Sequence, residues 1–299
     1  MNSKIKEYAS MLLLLFAALI WGSSFVAQEL GARVLPTYTF NGLRMLVGSL
    51  VLLPVIFVSD KLSKPENIKG WNKQTLIAGI CCGLALFFAT SCQQMGLSMG
   101  TTAGKSGFIT TLYIVAVPVI GLFLKRKAGL NVWVAVVIAC VGLYLICVSE
   151  DFTVATGDLV TMLCAFFFSF QILIIDHYAP MVDGVRLSCL QFLVVAVISL
   201  PFALFEKPAA EGLIQGIYPV LYVGIMSCGI AYTLQIITQK NLKPEIASLL
   251  MSFESVFAGL TGWLILDNQF TSSQLLGCVC MFVAVLVSQF LNIPVKKKS

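Results

Sequence analysis

Long runs of apolar residues, separated by short polar connections, repeat along the whole chain. A helix that crosses a lipid bilayer needs about 20 mostly apolar residues. The connections are too short to hold a separate water-soluble domain. The pattern therefore predicts an all-α integral membrane protein with ten transmembrane helices, over residues 10–28, 37–58, 74–95, 102–124, 131–149, 157–177, 187–205, 213–237, 244–266 and 272–292.

The composition supports lipid as the solvent. Apolar residue types make up 59% of the 299 residues and charged types only 11%, against about 25% charged in ordinary soluble domains. The ten cysteines lie in apolar runs without a CxxC spacing, which favours packing over a disulfide framework or a metal site. The net charge of +5 does not indicate nucleic acid, because the positive residues sit in short loops. We expect no metal, no cofactor and no nucleic-acid partner.

The distribution of Lys and Arg predicts the orientation in the membrane. If the N-terminus is cytoplasmic, the ten crossings place fifteen of the nineteen Lys and Arg residues on the inner side. The outer loops then hold only Arg33 and Lys207. Cytoplasmic loops of membrane proteins carry such an excess of positive residues. The sequence therefore predicts a multi-pass protein of the cell (plasma or inner) membrane with both termini in the cytoplasm.

The chain also shows an internal duplication. The last spans of the two halves align at an offset of 142 residues, the third and fourth spans align with the eighth and ninth at 141, and the first aligns with the sixth at 147. Because each half has an odd number of spans, the second copy must insert upside down. We expect repeats over residues 1–150 and 151–299 around a central cavity. The paired positions, here called repeat mates, include Gln94 with Gln235, Tyr113 with Glu254 and Trp21 with Phe168.

Three ionisable residues inside the spans are candidates for function, because charges within a membrane are costly. Glu254, in the middle of the ninth span, is a candidate for binding a substrate amine or a proton; the alternative is a neutral side chain that bonds a neighbouring helix. Lys105 attracts an anionic group or anchors the helix at the interface. Arg44 is a further candidate charge, although it is also placed to tie helix ends together.

Uncharged side chains complete the candidate substrate site. Amides in hydrocarbon seek partners and often join helices, so Gln94 and its mate Gln235 either bind substrate or face each other across a pseudo-twofold axis. Aromatic side chains line a cavity or serve only in packing. The candidate substrate-binding residues are Trp21, Ser24, Gln94, Tyr113, Gln171, Tyr232, Gln235 and Glu254.

Four stretches resemble a known family. The segment "QQMGLSMGTTAGKSGFITTLYIVAVP" (Gln93 to Pro118) is similar to the third and fourth spans of EamA-type proteins of the drug/metabolite transporter superfamily. The segment "YTLQIITQKNLKPEIASLLMSFESVFAGL" (Tyr232 to Leu260) resembles the second-half signature, and "ALIWGSSFVAQ" (Ala18 to Gln28) and the Arg44 position also fit. The resemblance implies ten helices around a central cavity, and the movement of amino acids and related metabolites, usually outward.

One position departs from that family pattern. The second-half signature usually reads Glu-Pro, whereas Ser255 follows Glu254 here. A proline removes a helix hydrogen bond and bends the helix. The sequence therefore predicts a straighter ninth helix at this point.

The leading functional hypothesis is a secondary transporter, an exporter of amino acids or related small metabolites that works by alternating access. Its partners are a small-molecule substrate, the lipid bilayer and, as a candidate coupling ion, the proton. The alternatives are a facilitator for a different solute, such as a drug-like compound, and a non-transporting membrane sensor or scaffold. An enzyme is disfavoured by the single His and the lack of HExxH and GxSxG motifs, and no Walker A motif indicates ATP-driven transport. The sequence leaves the substrate, the direction, the proton coupling and the oligomeric state open.

Overall fold

The computed structural model describes residues 3–62, 70–126, 128–147, 155–266 and 272–290, and these residues form helices without any strand. The helices are α1 (Ser3–Val34), α2 (Thr37–Leu62), α3 (Lys73–Ser98), α4 (Ala103–Thr110), α5 (Tyr113–Phe123), α6 (Leu130–Cys147), α7 (Thr156–Tyr178), α8 (Gly184–Glu206), α9 (Ala210–Gln215), α10 (Ile217–Tyr222), α11 (Thr233–Gln239), α12 (Pro244–Met251), α13 (Phe253–Leu266) and α14 (Ser272–Phe290). A π-helical segment, Val223–Tyr232, joins α10 to α11 without a break.

The surface of the bundle is that of a membrane protein. In the part of the chain that the structure describes, seven helical stretches are long and apolar enough to cross a bilayer, and Leu130–Leu145 and Leu275–Ser288 are shorter apolar helices. Large apolar side chains point outward, with Leu204 79% and Phe123 84% exposed, while many Ser, Thr and Gln side chains are buried. This arrangement is stable only where lipid surrounds the helices.

The helices of the first half pack mainly against those of the second half. The α2 helix lies along α8, and α6 lies along α14. The α3 helix packs against α7 and α8, while the stretch from α10 to α11 packs against α1 and α2. The α4 and α5 helices contact α7, and α12 and α13 contact α1. The two halves therefore enclose a shared interior.

Two helical segments, α4 to α5 and α12 to α13, are each interrupted about halfway along. The break between α4 and α5 falls at Thr111, whose Oγ1 donates to the carbonyl oxygen of Phe108 at 2.7 Å. The break between α12 and α13 falls at Ser252, whose Oγ donates to the carbonyl oxygen of Leu249 at 2.7 Å. Such hydroxyl bonds compete with the backbone ladder of the helix. The ninth helix is therefore interrupted at Ser252, two residues before Glu254, although no proline follows Glu254.

The bundle has two faces, which we distinguish by the ends of α2. Face A holds the start of α2, and face B holds its end. At face A, the carboxylate of Glu206 accepts bonds from the backbone N–H groups of Tyr38 (2.9 Å) and Thr39 (2.7 Å) in the first turn of α2. A carboxylate at a helix N-terminus satisfies unpaired N–H groups and complements the helix dipole.

Glycines set the distance between α2 and the π-helical segment. A Cβ atom added at Gly224 would lie 2.9 Å from the carbonyl oxygen of Arg44, and one added at Gly48 would lie 3.1 Å from that of Gly224. Small residues allow this close approach of helix backbones in membranes. The contact fixes the position of Arg44 relative to the second half of the chain.

Candidate functional site

A central cavity of about 40 Å³ lies between the two halves of the chain. It combines an aromatic wall with amides, a guanidinium and a carboxylate, which is the usual make-up of a small-molecule site. Both halves contribute to the lining, which consists of Trp21, Phe25, Gln28, Arg44, Gln93, Thr110, Tyr113, Phe168, Gln171, Ile172, Ser227, Tyr232, Gln235, Met251 and Glu254.

Two residues of the cavity lining that the sequence pairs at an offset of 141 contact each other. The hydroxyl of Tyr113 donates to Oε1 of Glu254 at 3.0 Å, and both residues are buried. Tyr113 begins α5 and Glu254 is the second residue of α13, so each follows a helix break. The phenol and the carboxyl group that meet here therefore both lie directly beside a helix break.

Arg44 lies on the face A side of the cavity and is only 2% exposed. Its Nη1 donates to Oε1 of Gln28 at 2.5 Å, and its guanidinium lies 5.4 Å from the ring centre of Phe40. Its Nε and Nη2 have no hydrogen-bond partner within the described residues, and none of the ion pairs found there includes Arg44. The cavity thus contains a cation whose charge is not balanced locally.

The face B side of the cavity is built from amides instead. Nε2 of Gln171 donates to Oε1 of Gln191 at 3.3 Å, and Nε2 of Gln235 donates to Oε1 of Gln171 at 3.3 Å. Gln239 donates to the carbonyl oxygen of Ile172 at 2.6 Å. These bonds join α7, α8 and α11 without any charge. The Oε1 of Gln235 remains without a partner among the described residues.

Aromatic rings form the wall between the two polar ends. Trp21 and Tyr232 meet edge to face with ring centres 5.0 Å apart. Phe192 also packs edge to face on Tyr232, with ring centres 5.8 Å apart. The indole N–H of Trp21 has no acceptor in the part of the chain that is described. The wall therefore offers an apolar surface together with one free donor.

Three residues expected at the site lie outside the cavity lining. Ser24 is buried and donates to the carbonyl oxygen of Ile20 at 2.7 Å. Gln94 donates to the backbone oxygen of Gln28 at 3.2 Å, and no bond joins it to Gln235. Lys105 pairs with Asp158 at 2.5 Å at face A, so an anionic group of the same chain already occupies it.

Several lining residues were not expected from the sequence, but the helical period points to some of them. Residues three, four or seven apart share a helix face. Phe25 and Gln28 stand four and seven residues after Trp21, and Thr110 and Met251 stand three residues before Tyr113 and Glu254. Ser227 gives no such signal, because it lies in the π-helical segment, where the period differs.

The fold and the cavity together define a class of protein. Helices that cross a membrane, with breaks beside a buried polar cavity, are characteristic of membrane transporters. The sequence matches the EamA-like transporter family over residues 9–148 and again over residues 155–290. The chain therefore belongs to the EamA-like transporter family, and it is a transporter rather than an enzyme.

Relatives and a solved structure agree with this assignment. A protein of Archaeoglobus fulgidus, named an uncharacterized transporter, is 29% identical over 95% of this chain and 86% of its own length. The uncharacterized transporter YoaV of Bacillus subtilis is 24% identical over 94% of this chain and 96% of its own length. A crystal structure with 15% sequence identity superposes with a TM-score of 0.76 over 94% of this chain and 98% of that chain, which shows the same fold.

Proposed function

We propose that this protein is a secondary transporter that exports amino acids or related small metabolites across the cell membrane. The observation that carries the proposal is a membrane-buried cavity lined by both a guanidinium, Arg44, and a carboxyl group, Glu254. An amino acid carries the complementary pair of charges. Burying two charged residues in a membrane protein is costly, and such residues usually serve a substrate or ion pathway.

The proposed topology is ten crossings in two inverted five-helix repeats, residues 1–150 and 151–299. Three features support it. The helix pairings recur with the halves exchanged: α3 on α7 matches the stretch from α10 to α11 on α1. The breaks at Thr111 and Ser252 fall at the repeat offset of 141 and use the same hydroxyl bond. Finally, the mates Tyr113 and Glu254 touch each other, as residues near a pseudo-twofold axis do.

Face A is then the outer face, and both termini are cytoplasmic. The excess of Lys and Arg in the loops assigned to face B supports this orientation. Fusions of a fluorescent protein and of alkaline phosphatase to the C-terminus test it. A cytoplasmic terminus gives fluorescence without phosphatase activity, and the reverse result would exclude this orientation.

Transport by alternating access requires that each face opens in turn. At face A, the Lys105–Asp158 ion pair joins the start of α4 to the start of α7. At face B, Arg126 bonds to Asp176 and joins the region after α5 to the end of α7. We propose that these contacts separate alternately while the substrate stays between Trp21 and the facing residues of the second half.

Glu254 is proposed to bind the substrate amine or to carry the coupling proton. Both roles predict that Glu254→Gln lowers export strongly, because the amide neither pairs with an ammonium group nor releases a proton. The test compares amino-acid release from loaded proteoliposomes for the wild type, Glu254→Gln and the control Glu211→Gln, whose side chain is exposed. If Glu254→Gln matches the wild type in rate and in pH dependence, Glu254 has no part in transport.

A further inference from the structure

We propose that Arg44 is the residue that recognises a carboxylate on the transported substrate. The inference rests on the proposed transport function and assigns a specificity-determining residue within it. It starts from the charge of Arg44, which no ion pair balances among the described residues, and from the two nitrogens of its guanidinium that have no hydrogen-bond partner there.

The free donors of Arg44 lie on one edge of the guanidinium. Nη1 is already bonded to Gln28, whereas Nε and Nη2 have no partner among the described residues. The N–H bonds of Nε and Nη2 are parallel, and this edge binds both oxygens of a carboxylate at once. Arg44 is only 2% exposed and is one of the residues that line the cavity, so a carboxylate that binds its unused edge must come through the cavity rather than from the lipid.

The proposed repeat argues that the charge is not needed to hold the helices together. At the offset of 147, "LRMLV" of α2 (residues 43–47) aligns with "LQFLV" of α8 (residues 190–194), so Gln191 is the mate of Arg44. Gln191 accepts a bond from Gln171 and joins α8 to α7. Arg44 joins α2 to α1 through Gln28. An amide therefore performs the joining task in the second half, and the cation in the first half adds only a charge and a bidentate edge.

The charges of the cavity indicate a carboxylate rather than a phosphate. The described lining contains a single cation, Arg44, and a single carboxylate, Glu254. A zwitterion that places its carboxylate at Arg44 and its ammonium group at Glu254 keeps the sum of these charges at zero, whereas a phosphate dianion leaves an excess of negative charge. Neutralisation matters because an unpaired buried charge is strongly unfavourable.

The test uses leucine and two analogues that each lack one charged group. The compound 4-methylpentanoate lacks the amine, and isoamylamine lacks the carboxylate. Binding is measured by thermal shift on the purified full chain, for the wild type, Arg44→Gln and Arg44→Lys. The Gln variant places in the first half the residue type that the second half already carries, so the fold is expected to tolerate it.

The expected result is a selective loss. Arg44→Gln weakens the binding of leucine and of 4-methylpentanoate at least about tenfold, because bonds to a charged group are lost. The same variant changes isoamylamine binding less than about twofold. Arg44→Lys keeps the positive charge but loses the bidentate edge of the guanidinium, so its affinity for the two carboxylates should lie between those of the wild type and Arg44→Gln. The ligand-free melting temperature of Arg44→Gln is expected to equal or exceed that of the wild type.

Two results would overturn the proposal. One is an equal loss for all three compounds, together with a lower ligand-free melting temperature, which would mean that Arg44 only maintains the cavity. The other is a wild type that neither carboxylate stabilises. Leucine counterflow in proteoliposomes is measured in parallel. If the protein binds carboxylates but moves no leucine, the proposed transport function is wrong, whereas the assignment of Arg44 as the carboxylate-binding residue stands.

Discussion

The hydrogen bond between Tyr113 and Glu254 joins the two broken helices, and its loss should have a measurable cost. Tyr113→Phe removes the hydroxyl and leaves the ring in place. Side-chain hydrogen bonds between membrane helices contribute about 0.6 kcal/mol on average and about 1.7 kcal/mol at most. Both residues are buried, at 4% and 6% exposure, and the acceptor is a carboxyl group. We therefore expect a cost of about 1.5 kcal/mol, near the upper end of that range.

A double-mutant cycle isolates this bond. Unfolding by SDS in mixed micelles gives the free energy for the wild type, Tyr113→Phe, Glu254→Leu and the double variant. In the Glu254→Leu background the acceptor is gone, so Tyr113→Phe should cost less than about 0.5 kcal/mol and the coupling energy should be about 1 kcal/mol or more. Tyr218→Phe is the matched control, because Tyr218 is 79% exposed and should tolerate the loss of its hydroxyl.

An additive cycle would refute this reasoning. If Tyr113→Phe costs the same with and without the carboxyl group, the hydroxyl does not stabilise the fold through Glu254. The contact between the two helix breaks would then depend on ring packing alone.

Three further predictions concern packing and the helix ends at face A. Gly224→Ala should destabilise the protein by about 2 kcal/mol, because the new Cβ would press on the backbone of α2; Gly104→Ala, where a Cβ meets no atom within 4 Å, is the control in the same SDS titration. Glu206→Gln should cost about 1 kcal/mol in that assay, since an amide offers a single acceptor to the first turn of α2, whereas the exposed Glu211→Gln should cost nothing measurable. Asp158→Asn should cost about 1–2 kcal/mol, because the carboxylate accepts bonds from a lysine, a threonine and a backbone N–H group; an unchanged midpoint would show that the contact is not maintained.

The sequence predicted the positions of the helices well because lipid imposes a length and an apolar composition on each crossing. The bounds of α3 (Lys73–Ser98) and α7 (Thr156–Tyr178) extend only a few residues beyond the predicted spans. Seven of the ten candidate residues lie in the cavity lining, and their part in substrate binding stays a prediction: Trp21, Arg44, Tyr113, Gln171, Tyr232, Gln235 and Glu254.

The remaining features depend on rotation and long-range pairing, which a hydropathy pattern does not encode. Gln94 and Gln93 are adjacent, yet only Gln93 faces the cavity, because successive residues of a helix point about 100° apart. Lys105 could be recognised as a charge inside a predicted span, but its partner Asp158 lies 53 residues away in another helix. The break at Ser252 was missed because a serine within a helix bonds a carbonyl only in some conformations.

The proposed repeat explains why the charged groups of the cavity lie at positions where the two halves of the chain differ. A substrate with a carboxylate at one end and an amine at the other has no twofold symmetry, so a cavity made of identical halves would match only half of it. Mates that resemble each other, Thr111 and Ser252, make the same helix break on both sides. Mates that differ supply the charges, with Glu254 opposite Tyr113 and Arg44 in place of Gln191. Substitutions at mates that differ should therefore change specificity, whereas substitutions at mates that agree should change the fold.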